Sequence, residues 1–90
     1  HNRQGRAVIY QGSQWESIGR WADARGMDTK TARRSVTTGG VVMGKLLHDD
    51  PHSGRRIVEA AGVPVLVVPI RGQQWLYLRA DAPGKVENAT

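Results

Sequence analysis

The octapeptide Val63-Pro64-Val65-Leu66-Val67-Val68-Pro69-Ile70 constrains the fold more than any other stretch of the chain. It carries no charge, and its β-branched residues favour a strand. A strand that is apolar at every position has both faces covered, which is the pattern of a central strand in a parallel sheet. The chain has 90 residues, enough for one small domain, so the cover must come from elements close by in sequence.

Those elements read as follows. Residues 6–12 predict a strand ending in glycine, and 13–26 predict a helix. Ser13 stands as its N-cap with Glu16 three residues on, the capping-box spacing, and Gly26 as its stop. Trp15, Ile18, Trp21 and Ala22 fall on one stripe of that helix. Residues 27–40 read two ways, as a strand with a glycine turn or, over TKTARRSV, as a short basic helix. Residues 41–44 read as a short buried strand and 45–52 as a loop. Ser53 then caps a helix over 53–62, with Ile57, Val58 and Ala61 toward the core and Gly62 at its end. Residues 71–82 read as a final helix, or as a hairpin partner of the preceding strand because WLYLR alternates. Strands separated by single helices imply a parallel sheet covered on its faces. The expected fold is therefore α/β, a small three-layer sandwich with a central, mostly parallel four-stranded sheet and about three helices. The domain spans 6–82, between a disordered N-terminus (1–5) and a disordered tail (83–90).

Thirteen Lys and Arg against eight Asp and Glu give a net charge of +5. That excess favours polyanionic partners and predicts weak, salt-sensitive binding to nucleic acid. The absence of cysteine excludes a disulfide framework and thiolate chemistry. No apolar run approaches the ~20 residues of a membrane span, so no membrane partner is expected.

The segment from Val36-Thr37 through Val41–Gly44 and Ser53-Gly54-Arg55 to Ala60-Ala61-Gly62-Val63-Pro64-Val65 resembles the second half of a BRCT domain. It is most similar to those appended to bacterial DNA ligases and exonuclease-like repair or replication proteins. The resemblance implies the α/β sandwich above. It also implies a non-catalytic interaction module of a larger protein, in the cytoplasm of a bacterium and associated with its nucleoid. Such a module docks on a phosphorylated protein partner or a DNA end. It places the bound phosphate against Gly12, Ser13 and Arg55, and a helix start at Ser53-Gly54 offers free N–H groups at the same place. Gln11 stands where phosphate-binding members carry Thr or Ser. The competing use for Arg55 and Arg56 is pairing with Asp49 and Asp50 upstream.

A second reading comes from WADARGMDTKTARRSV. Ala22, Gly26 and Ala32 have helix-turn-helix spacing, with Lys30, Arg33 and Arg34 on the would-be recognition helix. This predicts a small helix-turn-helix or winged DNA-binding domain, with Arg56 as a further DNA contact. The two readings part at residues 28–40, a strand in the first and a helix in the second. Trp15, Trp21 and Trp75 are all candidate stacking platforms for bases, but helical spacing assigns Trp15 and Trp21 to the core. His48 and His52 have Asp49 and Asp50 between them, but Pro51 breaks the spacing and a solvated loop is expected in place of a metal site. No nucleophile is paired with a base, so neither catalysis nor a cofactor is expected.

Overall fold

Four dipeptides ending in glycine decide the topology. In the computed structural model, which describes residues 7–79, Gln11-Gly12, Gly39-Gly40, Ala61-Gly62 and Arg71-Gly72 all have both residues at positive φ, between 52° and 83°. Two consecutive positive φ values define the type I′ turn, whose twist matches that of a tight β-hairpin. Each pair joins two strands: β1 (Ala7–Tyr10) to β2 (Ser13–Ser17), β3 (Thr37–Thr38) to β4 (Val41–Val42), β6 (Arg56–Ala60) to β7 (Val63–Ile70), and β7 to β8 (Gln73–Arg79). With β5 (Lys45–Asp49) these strands build a six-stranded sheet in the order β1-β2-β8-β7-β6-β5, plus the separate β3–β4 ribbon. Every pairing is antiparallel.

This overturns the expected parallel α/β sandwich. The sheet has six strands where four were expected, and only two helices are present among the described residues, α1 (Ile18–Ala24) and α2 (Thr29–Val36). The fold implied by the BRCT resemblance is thus not the one adopted. Val63–Ile70 is a central strand, as its composition predicts. In β7, Val65 and Val67 join the cluster beneath the helices, while Leu66 and Val68 join a second cluster on the other face. An apolar run reports burial on both faces, and it does not report strand direction. Residues 53–62 fail as a helix for the same reason. Ile57 packs in one cluster, Val58 and Ala60 in the other, and Ala61-Gly62 turns the chain instead of ending a helix.

The expected 13–26 helix starts five residues late. Ser13 lies in β2, paired with Tyr10, and the cap is Ser17, whose side chain accepts from the Arg20 N–H. Trp15 consequently points away from Trp21, into the second cluster. The stop at Gly26 stands: the Met27 N–H reaches the Ala22 carbonyl at 2.9 Å and the Gly26 N–H reaches that of Asp23 at 3.1 Å. These are the two bonds of a Schellman ending, with Gly26 in the left-handed region at φ 66°. The ambiguous 27–40 stretch contains both proposed elements, a helix over TKTARRSV and then a glycine-turned ribbon. The expected loop at 45–52 contains strand β5, and residues 73–79 form a strand. The chain ends at 1–5 and 83–90 lie outside the described residues.

The two faces of the sheet carry separate cores. Ile18, Trp21 and Ala22 of α1, Ala32 and Val36 of α2, and Val42 cover Val58, Val65, Val67, Leu76 and Leu78. On the opposite face Trp15, Ile57, Leu66 and Val68 pack with Val8, Tyr10 and Tyr77. That face is closed by curling of the sheet. Tyr10 on the first strand of the order and His48 on the last meet with 3.1 Å between the hydroxyl and Nε2. The Trp21 indole N–H is buried, with no hydrogen-bond partner among the described residues. Such an orphan donor costs about 1–3 kcal/mol, partly offset by the Arg25 guanidinium stacked 4.2 Å above the ring.

Candidate nucleic-acid interface

The helix α2 is short, and its sequence separates its two sides. Taking 100° per residue, Lys30, Arg33 and Arg34 fall at i, i+3 and i+4, within one arc of about 100°. Ala32 and Val36 fall on the opposite side and are buried against α1 and the sheet. All three cations are exposed. Asp28 caps the helix by accepting from the Lys30 N–H at 3.2 Å. At the far end the Thr37 hydroxyl donates to the Arg33 carbonyl and the Ser35 hydroxyl to that of Ala32. Caps at both ends hold a helix too short to persist alone.

α1 and α2 are joined by Arg25–Asp28, a four-residue connection with glycine at its second position. The three small residues picked out by spacing lie at this joint. Ala22 and Ala32 are fully buried where the helices approach, and Gly26 takes the left-handed turn. The geometry is therefore a two-helix unit with a basic outer helix.

A groove of about 1000 Å³ runs between this unit and the β7–β8 hairpin. Thr29 and Arg33 of α2 line one wall, and the hairpin segment 72–77 lines the other; the ladder pairs Trp75 with Val68, so its side chain belongs to the sheet face opposite the helices. Residues 69–75 are all exposed, so the hairpin tip projects beyond the packed sheet. Trp75 is 44% exposed, whereas Trp15 and Trp21 are 2% and 7% exposed. The expected core role of the latter two holds. The signal for Gln73 and Gln74 was weak: two glutamines after an Arg-Gly turn have no periodicity of their own.

The residues expected to hold phosphate are arranged differently. Ser53 and Gly54 lie in a turn, and Arg55 precedes strand β6, so no helix N-terminus exists there. Gly12 sits in the β1–β2 turn and Ser13 opens β2. Two distant segments do meet, because the Arg55 guanidinium lies 5.4 Å from the centre of the Tyr10 ring. The negative charge at this seam comes from the chain itself. The Asp50 carboxylate accepts from the His52 N–H at 3.0 Å and the Ser53 hydroxyl at 2.9 Å. The Ser53 oxygen in turn accepts from the Arg55 N–H, and the Gly54 N–H bonds the Asp50 carbonyl. Arg56 sits opposite Asp49 across the β5–β6 ladder, an opposite-charge cross-strand pair. His48 is held by Tyr10, and among the described residues no cluster of three or more His, Asp or Glu could hold a metal.

The hydrogen bond from Ser53 and the one from the His52 backbone depress the Asp50 pKa. Desolvation, followed by the Asp50 charge, raises that of Tyr10, with Arg55 opposing. A depressed carboxylate stabilises the fold above its unfolded pKa, and that contribution disappears as the pH falls through the folded value. Asp50→Asn is therefore expected to lower the melting temperature at neutral pH. The gap to the wild type should close as the pH is lowered from about 5 through the folded pKa. A gap unchanged at acid pH in calorimetric scans would mean that the carboxylate charge does not hold this loop.

No family model matches the chain, and no curated protein or solved structure shows significant similarity to it. Among the described residues no helix is long and apolar enough to cross a membrane.

Proposed function

We propose that the chain is a small, non-catalytic DNA-binding domain that lays α2 against a duplex groove, with α1 as the supporting helix of a helix-turn-helix. The observation that carries this reading is the state of residues 29–36. They form a helix whose Ala32 and Val36 are buried and whose Lys30, Arg33 and Arg34 share the exposed side. The docking-module reading required a parallel sheet and a helix at 53–62. Neither is found among the described residues, so it is not carried forward. An eight-residue helix spans about 12 Å, the width of the major groove. Three cations on its outer stripe and a net charge of +5 supply the sequence-independent attraction of phosphates.

The test is a titration of a fluorescent duplex at two salt concentrations. Wild type should bind at about 50 mM salt and weaken steeply toward 200 mM. Changing Lys30, Arg33 and Arg34 to Ala should weaken binding roughly 10- to 100-fold at low salt and reduce the salt slope by about 3. Arg56→Ala, outside α2 and opposite Asp49 in the β5–β6 ladder, should change both far less than the triple substitution. Circular dichroism should show the same fold for all of them, because the substituted side chains are exposed or half-buried. Absence of binding by the wild type at low salt, or equal binding by the triple variant, would overturn the reading.

A further inference from the structure

We infer that the groove between α2 and the β7–β8 hairpin holds one sugar–phosphate strand of the duplex, gripped on the hairpin side by Gln74 and Arg71. This inference rests on the DNA-binding reading and deepens it, from a helix contact to a clamp on the strand beside it. The sheet register settles which hairpin side chains face the helices. Leu76 pairs with Val67, and both belong to the cluster beneath α1 and α2. Gln74, two residues earlier on the same strand, projects from the same face, because side chains alternate along a strand. Gln73 and Trp75 project from the opposite face, as Val68, the partner of Trp75, does. The hairpin thus offers the groove one side-chain amide, with the Gly72 backbone beside it. Facing it are Arg33 and Thr29, four apart on one side of α2.

A guanidinium, a hydroxyl and a primary amide are donors that proteins direct at phosphate and sugar oxygens. They suit an anionic backbone better than an apolar ligand, since Ile18 and Leu76, which border the groove, are buried. A helix in the major groove has a strand backbone on either flank. Residues 69–75 are exposed and project beyond the packed sheet, across the groove from α2. The hairpin therefore meets the duplex on the far side of one flanking strand, and that strand runs through the groove. A volume of about 1000 Å³ takes a short run of one strand and excludes a duplex. Arg71 stands exposed at the hairpin tip with φ 52°. A type I′ turn favours Asn, Asp or Gly at that position. Arginine there carries left-handed strain, and what it adds is a cation over the strand. Asp23 is the one acidic residue lining the groove among the described residues, and its charge opposes a phosphate.

Single variants titrated with a fluorescent blunt duplex, from about 50 to about 200 mM salt, test the clamp. Arg71→Ala should weaken binding roughly three- to tenfold at low salt and lower the salt slope by about 1, because one phosphate contact is lost. Gln74→Ala should weaken it about threefold with the slope unchanged, because an uncharged donor displaces no counterion. Asp23→Asn should tighten it about twofold, because one repulsive charge is removed. Trp75→Ala, next to Gln74 but on the opposite face, should bind as wild type does. Arg71→Asn should weaken binding as Arg71→Ala does and yet melt above wild type, because asparagine suits the turn. All four side chains are exposed, so circular dichroism should show one fold throughout. The inference is overturned if Arg71→Ala keeps the wild-type salt slope, or if Gln74→Ala keeps the wild-type affinity. It is also overturned if Asp23→Asn weakens binding, or if Trp75→Ala weakens it as much as Gln74→Ala. The DNA-binding reading fails separately, if Lys30→Ala with Arg34→Ala leaves blunt-duplex affinity unchanged.

Discussion

Trp15→Ala is expected to cost about 3–5 kcal/mol and to leave little cooperative unfolding transition at 25 °C. Trp15 is the largest of the fully buried side chains and stands at the centre of the cluster with Ile57, Leu66 and Val68. Its indole N–H also donates to the Tyr10 carbonyl at 3.1 Å, tying the β1–β2 hairpin to the closed face. Alanine would remove the ring, leave a void that strands β7 and β6 cannot fill, and leave that carbonyl without its side-chain donor. A domain this small holds only about 5 kcal/mol in total, so one such loss approaches the whole. Trp15→Phe keeps much of the packing and should cost far less. Trp75→Ala, a substitution of the same type at an exposed site, should stay within about 0.5 kcal/mol of wild type. Chemical denaturation followed by circular dichroism ranks the three. A Trp15→Ala protein as stable as Trp75→Ala would mean that the sheet does not close over this face.

The position of Trp15 also explains how the sequence misleads. Trp15, Ile18, Trp21 and Ala22 satisfy helical spacing, and all four are buried, yet the first belongs to a strand. Burial is legible from composition. The direction of a side chain depends on where the helix begins, and here two serines compete for its cap. Ser13 has the favourable capping-box partner Glu16, but Tyr10 and Ser13 already flank a type I′ turn at Gln11-Gly12. Hairpin pairing with β1 and β8 satisfies the backbone of 13–17 better than one more helical turn could.

The same competition recurs at 56–60. Arg-Ile-Val-Glu-Ala followed by Ala-Gly reads as a helix with a glycine stop, and equally as a strand followed by an X-Gly hairpin turn. The deciding contacts lie with β5 and β7, at sequence separations that local patterns do not register. Alanine at positive φ, as at Ala61, is uncommon, which is why Ala-Gly does not announce a turn as Asn-Gly would. The basic stripe on α2 was easier to read. Lys30, Arg33 and Arg34 with Ala22, Gly26 and Ala32 form a pattern within 13 consecutive positions of the chain, so only local helix formation was needed to realise it. The groove beside it was not legible. It requires Gln74, which lies 41 positions beyond Arg33, and a separation of that length leaves no local pattern in the sequence.

Gly44→Ala is the second substitution expected to be severe, at about 3 kcal/mol. Gly44 does not need glycine for its backbone angles, because its φ lies outside the left-handed region. It needs glycine for space. A Cβ there would overlap the Glu59 carbonyl group and come within 3.2 Å of the Ala60 Cα, both backbone atoms of β6. A flexible side chain could move aside, but a strand paired on both edges cannot. The entry to β5 would have to lift away, weakening the Lys45–Glu59 and Leu46–Val58 pairings that begin the ladder. β5 is an edge strand with one partner, so it has no second neighbour to hold it in place. Loosening would spread to His48 and its bond to Tyr10, the contact that closes the curled sheet. Gly62→Ala is the informative control. A Cβ at Gly62 meets nothing within 4 Å, and the substitution bears only the strain of φ 79°, about 1 kcal/mol. Gly44→Ala should therefore melt well below Gly62→Ala, and its amide exchange should accelerate first in β5 and at Tyr10. The reverse order of melting temperatures would mean that β5 and β6 are not packed backbone to backbone at this point.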